Sequence, residues 1–408
     1  MNYAVIGAAG KMGRGIALLI LLSNALRGTN EPFHLNLIDL NLASFPDLKA
    51  YLRSHLLKFA ERNIIKVRKL FADKPEVVSN SEAIDAFISR TMDSIDCSTH
   101  VGHVEGADFV FEAAFEEIPV KVELLKKAQA LSKGWFFTNT SSIPIHLLAE
   151  QSGLKERLVG LHFYNPPPVQ KLLEIIPSKY TDPQLLEIAF SIAKEMNKVA
   201  VQSKDVAGFI GNGHFSREIL LAAKLAEKSS IEFVDAVTRD YLLRPMGLFQ
   251  LLDYVGWDVA LNLMKVMRAE LPDAQFQSPL LEKYYAAGVR GGQTADGHQK
   301  DGVFRYAEGL PKAVFDLATR SYKPFNAPFP LLSLTWKKAL KEKTDLSPYF
   351  KALQIDPSEG AQMAVQFLKD SKAIEEFLVS TGVAASLHDV GIVIKEGFHH
   401  LYAPHEVI

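Results

Sequence analysis

The chain has 408 residues, 48% apolar and 23% charged, the composition of a globular protein with a sizeable core and room for roughly two or three domains. Its formal net charge of -2 argues against a surface built to neutralise a nucleic-acid backbone, so no nucleic-acid partner is expected. The one cysteine, Cys97, makes no internal disulfide and no thiolate metal centre; no metal is expected, and this usage fits a reducing compartment, with the cytoplasm as the expected location.

Residues 3–6 (Tyr-Ala-Val-Ile) form a short apolar strand, followed by a glycine-rich loop and an apolar helix from Lys11 to about Asn24. The run at 16–22 could be mistaken for a leader core. A strand and a glycine loop precede it, and it is too short to cross a bilayer, so no membrane span is expected. Residues 35–38 are a second strand, ending at Asp39 after an extended loop at 28–32. Short strands alternating with helices predict a parallel sheet with crossover helices. Residues from about 45 to 90 differ: Tyr51, Leu52, Leu56, Leu57, Phe59 and Ala60 recur at helical spacing among charges, as an inserted helical hairpin would. Strands resume at 108–111, 135–138 and 158–161, with a helix at 120–131.

The character changes near 201–208, and from Gly211 the chain reads as helical, at 216–228 and 231–242 for example. Residues 288–302 read as a glycine-rich loop, with a further helical region from about 331 to the end. The expected fold is α/β: a Rossmann-type doubly wound sheet with an inserted helical hairpin (1–204), then an all-α region (205–330) and a helical extension (331–408).

The loop after the first strand carries Gly7, Gly10, Gly13 and Gly15. Glycine permits a tight turn and lets backbone approach a pyrophosphate, which then sits at a helix N-terminus favouring negative charge. Gly7, Gly10, Lys11, Met12 and Gly13 are therefore cofactor-binding candidates. A carboxylate at Asp39 can accept both ribose hydroxyls and repel a 2′-phosphate, which favours NAD; a strand-end turn or helix cap is the competing role.

The most informative stretch runs from His162 through Asn165 and Pro166 to Glu174. A strand delivers His162 to a proline turn, and Glu174 follows on what should be a neighbouring strand, 172–176. A carboxylate that fixes the tautomer of a histidine makes it a general base.

These segments resemble the 3-hydroxyacyl-CoA dehydrogenase family over roughly residues 1 to 310. The family's Ser-Asn-Thr-Ser-Ser box is similar to 138–142 and its His-Phe-Phe-Asn-Pro box to 162–166, where Tyr164 stands at the second Phe. Its later Glu matches Glu174. Its Asp-x-x-Gly-Phe-Ile-x-Asn box matches 205–212, and its Glu-Ala-x-x-Glu segment matches 112–116, with Lys121 beyond. The resemblance implies that His162 takes the proton of a substrate 3-hydroxyl while hydride leaves C3 for NAD. Glu174 would support His162, and Ser141 and Asn212 would hold the reacting oxygen. Glu116, Lys121, Asn139 and Asn165 would lie on the cofactor side. Ser54 and Lys58 of the insert would meet coenzyme A. Each residue has a plainer role as surface charge, turn former or cap. The implied activity is NAD-dependent oxidation of a (3S)-3-hydroxyacyl-CoA. A dehydrogenase of a free hydroxy acid or sugar acid, and a non-catalytic NAD-binding protein, are the alternatives.

Three departures stand out. The glycine loop has one residue more than Gly-x-Gly-x-x-Gly. Asn212 is followed by Gly213 and His214 instead of arginine. The chain also runs about a hundred residues past the family's usual end. In that tail, Asp389 and Pro404 faintly echo Asp235 and Pro245, which fits a worn second copy of the helical domain; an unrelated extension fits equally. A second copy could occupy the place of a partner subunit. A homodimer and a monomer are thus both open.

Overall fold

A computed structural model describes residues 1–26, 32–271, 276–294, 297–325 and 334–408. Most of the 28–32 loop, residues 295–296 and the start of the expected 331–408 extension lie outside them. The chain divides into two compact units, Met1–Asp205 and Val206–Ile408.

In the first unit, β1 (Asn2–Ile6) leads into α1 (Lys11–Asn24), and β2 (His34–Ile38) follows. A sheet covered on both faces needs apolar strands throughout, and β1 is buried from Tyr3 onwards. The insert is α2 (Phe45–Arg62), α3 (Ile64–Leu70) and α4 (Asn80–Asp93). Leu48, Leu52, Leu56 and Ala60 recur every four residues and are fully buried. Leu57 is 40% exposed, off that face. The hairpin's outgoing arm is thus broken at Asn63, and Ser79 with Glu82 closes a capping box on the returning arm.

The insert hands the chain to β3 (Ile95–Ser98), a strand absent from the sequence reading. Then come β4 (Phe109–Glu112), α5 (Ile118–Leu131), β5 (Trp135–Thr138), α6 (Ile145–Ser152), β6 (Leu158–Phe163), β7 (Leu172–Pro177), α7 (Pro183–Glu195) and β8 (Val199–Gln202). Among the described residues these strands make one sheet in the order β3-β2-β1-β4-β5-β6-β7-β8. All neighbours are parallel except β6 and β7. The strand order reverses beside β1, where doubly wound sheets open a ligand crevice at the carboxyl ends of the strands.

The second unit is built on α8 (Gly211–Ala226), α9 (Ile231–Ala236), α10 (Leu248–Val255), α11 (Trp257–Glu270) and α12 (Pro279–Ala286). The helical reading of this half holds, with one addition. A three-stranded antiparallel sheet forms from β9 (Phe304–Ala307), β10 (Leu310–Asp316) and β11 (Ser321–Pro324). Buried Asp253 ties it to the helices, accepting from the amides of Val303 and Phe304, the Trp257 indole and the Tyr306 hydroxyl. The chain ends with α13 (Trp336–Glu342), α14 (Ser347–Ile355), α15 (Glu359–Ser380), α16 (Leu387–Phe398) and α17 (Pro404–Val407). Phe350, Phe367, Leu368 and Tyr402 share one apolar core with Phe215, Phe249 and Trp257.

Candidate active site

The glycine loop joins β1 to α1 at the point where the strand order reverses. Gly7 has φ +78°, and a Cβ there would stand 2.6 Å from the Ala113 carbonyl oxygen. A Cβ on Gly13 would stand 2.0 Å from the Gly7 carbonyl oxygen, so helix and strand meet at a distance that only glycine allows. The extra residue is absorbed in a turn in which the Gly10 amide donates to the Gly7 carbonyl at 3.1 Å. Gly10 then sits in extended conformation as the N-cap of α1, with no side-chain cap. Lys11 is exposed and Met12 half-buried in the first turn. That first turn is the ready-made anion site of a helix start. Asp39 is not a helix cap here. Its Oδ2 accepts from the Ala9 amide at 2.9 Å, which fixes the carboxylate beside the loop. Arg14, which the sequence reading passed over, donates to the Ala9 carbonyl at 3.0 Å.

One helical turn on, a Cβ at Gly15 would meet Pro167 Cδ at 2.8 Å. Gly15 thus lets α1 pack directly on the proline turn that follows His162.

The carboxyl ends of β4 and β5 hold a buried charge cluster. Lys121 is 1% exposed, and its ammonium lies 2.7 Å from Glu112 Oε1 and 3.4 Å from Glu116 Oε2. It also donates to the Ala114 carbonyl at 3.2 Å, while the Thr138 hydroxyl donates to Glu112 Oε2 at 2.6 Å. Burial alone would lower the lysine's pKa, but the two carboxylates outweigh it and hold the pKa above the ordinary value. Lys121 thus meets Glu112, Glu116 and the Ala114 carbonyl together.

Glu116 in turn organises residues 140–142. Its Oε1 accepts from the Ser141 and Ser142 amides at 2.8 and 3.1 Å. The hydroxyls of Thr140, Ser142 and Ser141 lie at 2.7, 3.1 and 3.2 Å from the same oxygen. Burial would push this carboxyl up, but Lys121 and the hydrogen bonds outweigh burial and hold it below its usual range. One oxygen has fewer lone pairs than these five donors require. The Ser141 hydroxyl makes the longest of the five contacts and is the most readily redirected. Asn139 Oδ1 accepts from the Phe163 amide at 2.9 Å, tying the end of β5 to the end of β6.

His162 and Glu174 oppose each other in the antiparallel register of β6 and β7. His162 Nδ1 lies 2.8 Å from Glu174 Oε2, with His162 6% exposed and Glu174 fully buried. An Nδ1–H donated to the carboxylate leaves the Nε2 lone pair basic. The Tyr164 hydroxyl donates to the same Glu174 oxygen at 3.0 Å. The Asn165–Pro166 peptide is cis, and Asn165 Oδ1 is buried with no hydrogen-bond partner among the described residues.

The remaining candidates sit on helices α2 and α8. Ser54 and Lys58 are exposed one turn apart on α2, and the Ser54 hydroxyl donates to the Tyr51 carbonyl at 2.9 Å. Asn212 is half-buried in the first turn of α8, in the second unit. Asp205 accepts from the His146 amide and Nδ1 at 2.7 and 2.9 Å, at the start of α6. Among the described residues, no helix is long and apolar enough to cross a membrane.

A glycine cradle at a helix N-terminus, a strand-end carboxylate and a buried histidine–carboxylate pair are parts that suit a nicotinamide-dependent oxidoreductase. The family model for the 3-hydroxyacyl-CoA dehydrogenase NAD-binding domain matches residues 2–206, and that for the family's C-terminal domain matches 208–318. The pig mitochondrial hydroxyacyl-coenzyme A dehydrogenase is 34% identical over 252 residues, covering 60% of this chain and 78% of its own. The (S)-3-hydroxybutyryl-CoA dehydrogenase of Ralstonia eutropha superposes with a TM-score of 0.59 at 26% identity, over 71% of this chain and 94% of that one. The 3-hydroxybutyryl-CoA dehydrogenase of Escherichia coli shares the fold over 99% of this chain and 90% of its own, with TM-score 0.67 and 19% identity. The chain belongs to the 3-hydroxyacyl-CoA dehydrogenase family. It is an NAD-dependent oxidoreductase.

Proposed function

We propose that the chain oxidises (3S)-3-hydroxyacyl-CoA esters to 3-oxoacyl-CoA. The observation that carries this reading is the His162–Glu174 contact of 2.8 Å across β6 and β7, beside a serine turn held by Glu116. The loop suits a dinucleotide: Gly7 and Gly13 let strand and helix close up where any Cβ would strike backbone, which brings the amides at the α1 start up to where a pyrophosphate would sit. Gly7, Gly10, Lys11, Met12 and Gly13 would hold the pyrophosphate, and Asp39 the adenosine ribose. Asn139, Asn165 and Glu116 would face the nicotinamide side, where Asn165 Oδ1, without a partner among the described residues, offers an acceptor. NAD, when bound, supplies the hydride acceptor.

The chain's own part is positioning and proton transfer. His162 Nε2 takes the proton of the 3-hydroxyl, and Glu174 stabilises the imidazolium that results. The Ser141 hydroxyl and, in this reading, Asn212 hold the substrate oxygen as it becomes a carbonyl. Ser54 and Lys58 would meet the coenzyme A moiety. The cytoplasm remains the proposed location.

The C-terminal extension reads as a second, worn copy of the first helical segment. Ser230 caps α9 and Ser386 caps α16. Thirteen residues after each serine the backbone turns left-handed, at Leu243 (φ 46°) and His399 (φ 57°). In this register Asp389 stands opposite Phe233, whereas the sequence echo sets it opposite Asp235. We infer that the second copy covers the helical domain within one chain, and that the protein is a monomer.

Steady-state oxidation of NADH with acetoacetyl-CoA and longer 3-oxoacyl-CoA esters tests the activity. Turnover with the esters is the expected outcome. Turnover of free hydroxy acids only, or NADH binding with no turnover, would overturn it.

A further inference from the structure

Tyr164 lies one residue past β6, and its hydroxyl is left unused by the proton transfer described above. It donates to Glu174 Oε2 at 3.0 Å, onto the oxygen that takes the His162 Nδ1–H at 2.8 Å. The phenol ring packs tilted on the imidazole with centroids 4.8 Å apart. Phenylalanine, which the similar family box carries there, would supply the ring contact without the donor. Glu174 is fully buried, so water does not dilute the competition between the two donors.

We propose that Tyr164 is a positioning residue for the base: its hydroxyl shares the Glu174 carboxylate with His162 and sets how strongly that carboxylate supports a proton on the imidazole. The inference rests on the reading of His162 as the base. A hydrogen bond donated to a carboxylate stabilises its charge and lowers its basicity. Charge held by the phenol is charge withdrawn from the imidazolium. Removing the phenol should therefore return that charge to the imidazolium and strengthen its hold on a proton. The phenol is a fixed donor, because burial, reinforced by the Glu174 charge, holds it protonated well above its usual range.

Several ionisable groups of the nucleotide-binding unit are engaged with other partners. Strand β8 carries none, and Lys198, just before it, donates to the carbonyls of Pro167 and Gln170. The buried residues of α7 include Leu185, Ala189 and Ile192. Strand β5 ends in Thr138, and Glu112 and Glu116 beyond it are paired with Lys121.

Two replacements test this, Tyr164→Phe and 3-fluorotyrosine at position 164, each beside the wild type. The first readout is the pH profile of kcat/KM for 3-hydroxybutyryl-CoA oxidation. The second is the His162 ring titration by NMR on 15N-histidine-labelled protein without substrate, assigned against His162→Gln. Tyr164→Phe should move the acidic limb and the NMR midpoint up by about one pH unit. The more acidic fluorinated phenol should move both in the opposite direction. A limb and a midpoint unmoved in the replacements would reduce Tyr164 to a packing residue. Were Tyr164→Phe insoluble, the fluorinated protein still decides. The NMR midpoint needs no turnover, so a wild type inactive on every acyl-CoA would overturn the proposed reaction and leave the Tyr164 result readable.

Discussion

His162 and Glu174 are register partners on antiparallel strands, with imidazole and carboxylate 2.8 Å apart. The sheet itself holds the pair, because neither residue can shift along its strand without breaking the ladder. His162→Gln should lower kcat/KM by about a hundred- to ten-thousand-fold. NADH affinity, read by fluorescence titration, should stay at the wild-type value. Largely retained turnover would remove His162 from the role of base.

Glu116 is the link between buried Lys121 and the serine turn. Glu116→Gln keeps the shape but removes the charge, so the 140–142 turn loses its charged acceptor and Ser141 its placement. A lower kcat and a lower melting temperature are expected. The pH dependence has a definite sign. Lys121 and the turn's hydrogen bonds, opposing burial, depress the folded-state pKa of Glu116 below its ordinary 4.5. Its contribution is therefore present above pH 4.5 and is lost as pH falls through the lower folded value. The stability gap between wild type and Glu116→Gln should be flat near neutrality and close in acid. A gap that widens in acid would contradict the assignment.

The doubly wound sheet was legible because β1, β5 and α1 are apolar runs bounded by glycine or turn residues. Edge strands escaped. β3 (Ile95–Ser98) alternates imperfectly, with only its two end residues buried, and β8 is four residues long with one buried. The antiparallel sheet in the second unit escaped for the same reason, since β10 is only half-buried along most of its length. In the site, His162, Glu174 and Ser141 were readable as residue types at motif spacing. The partnership of Glu116 with the serine turn was not, because it joins residues 24 to 26 apart through tertiary packing. Tyr164 was visible as a departure from the family box, but its consequence needed the register of β6 against β7.

Glu375 on α15 provides a second pH test, in the other unit. It is fully buried, and its Oε2 accepts from the His405 amide at 2.8 Å and faces His405 Nδ1 at 3.0 Å. Burial, against the His405 hydrogen bond, pushes its pKa up to about 8. A carboxyl raised in the folded state is protonated there while the unfolded chain has already ionised. Its contribution is complete below the unfolded value of 4.5 and is lost as pH rises toward 8. The melting temperature should therefore fall between about pH 4.5 and 8 by several degrees, and Glu375→Gln should flatten that slope. An unchanged slope in the variant would assign that loss elsewhere.

The extension's packing predicts the oligomeric state. Arg244 and Glu218 form a bidentate pair at 2.9 and 2.8 Å, with both residues almost wholly buried. Two residues of α15 complete its enclosure: Ser371 donates to Glu218 Oε1 at 2.6 Å, and Phe367 lies under the Arg244 guanidinium at 5.4 Å. Tyr349 and Tyr402 add hydroxyl donors to the carbonyls of Tyr241 and Leu242. A buried ion pair is costly wherever its partners are not fully satisfied, so the helical domain needs a cover at this face, and the chain provides its own. The protein should sediment as a monomer of 45.3 kDa. Phe367→Ala should cost about 3–5 kcal/mol, the range for deleting a buried aromatic ring, and should lower the unfolding midpoint of the second unit. A stable dimer of the full chain would show that this face is covered by something other than α15, and would remove the argument for a self-contained second copy.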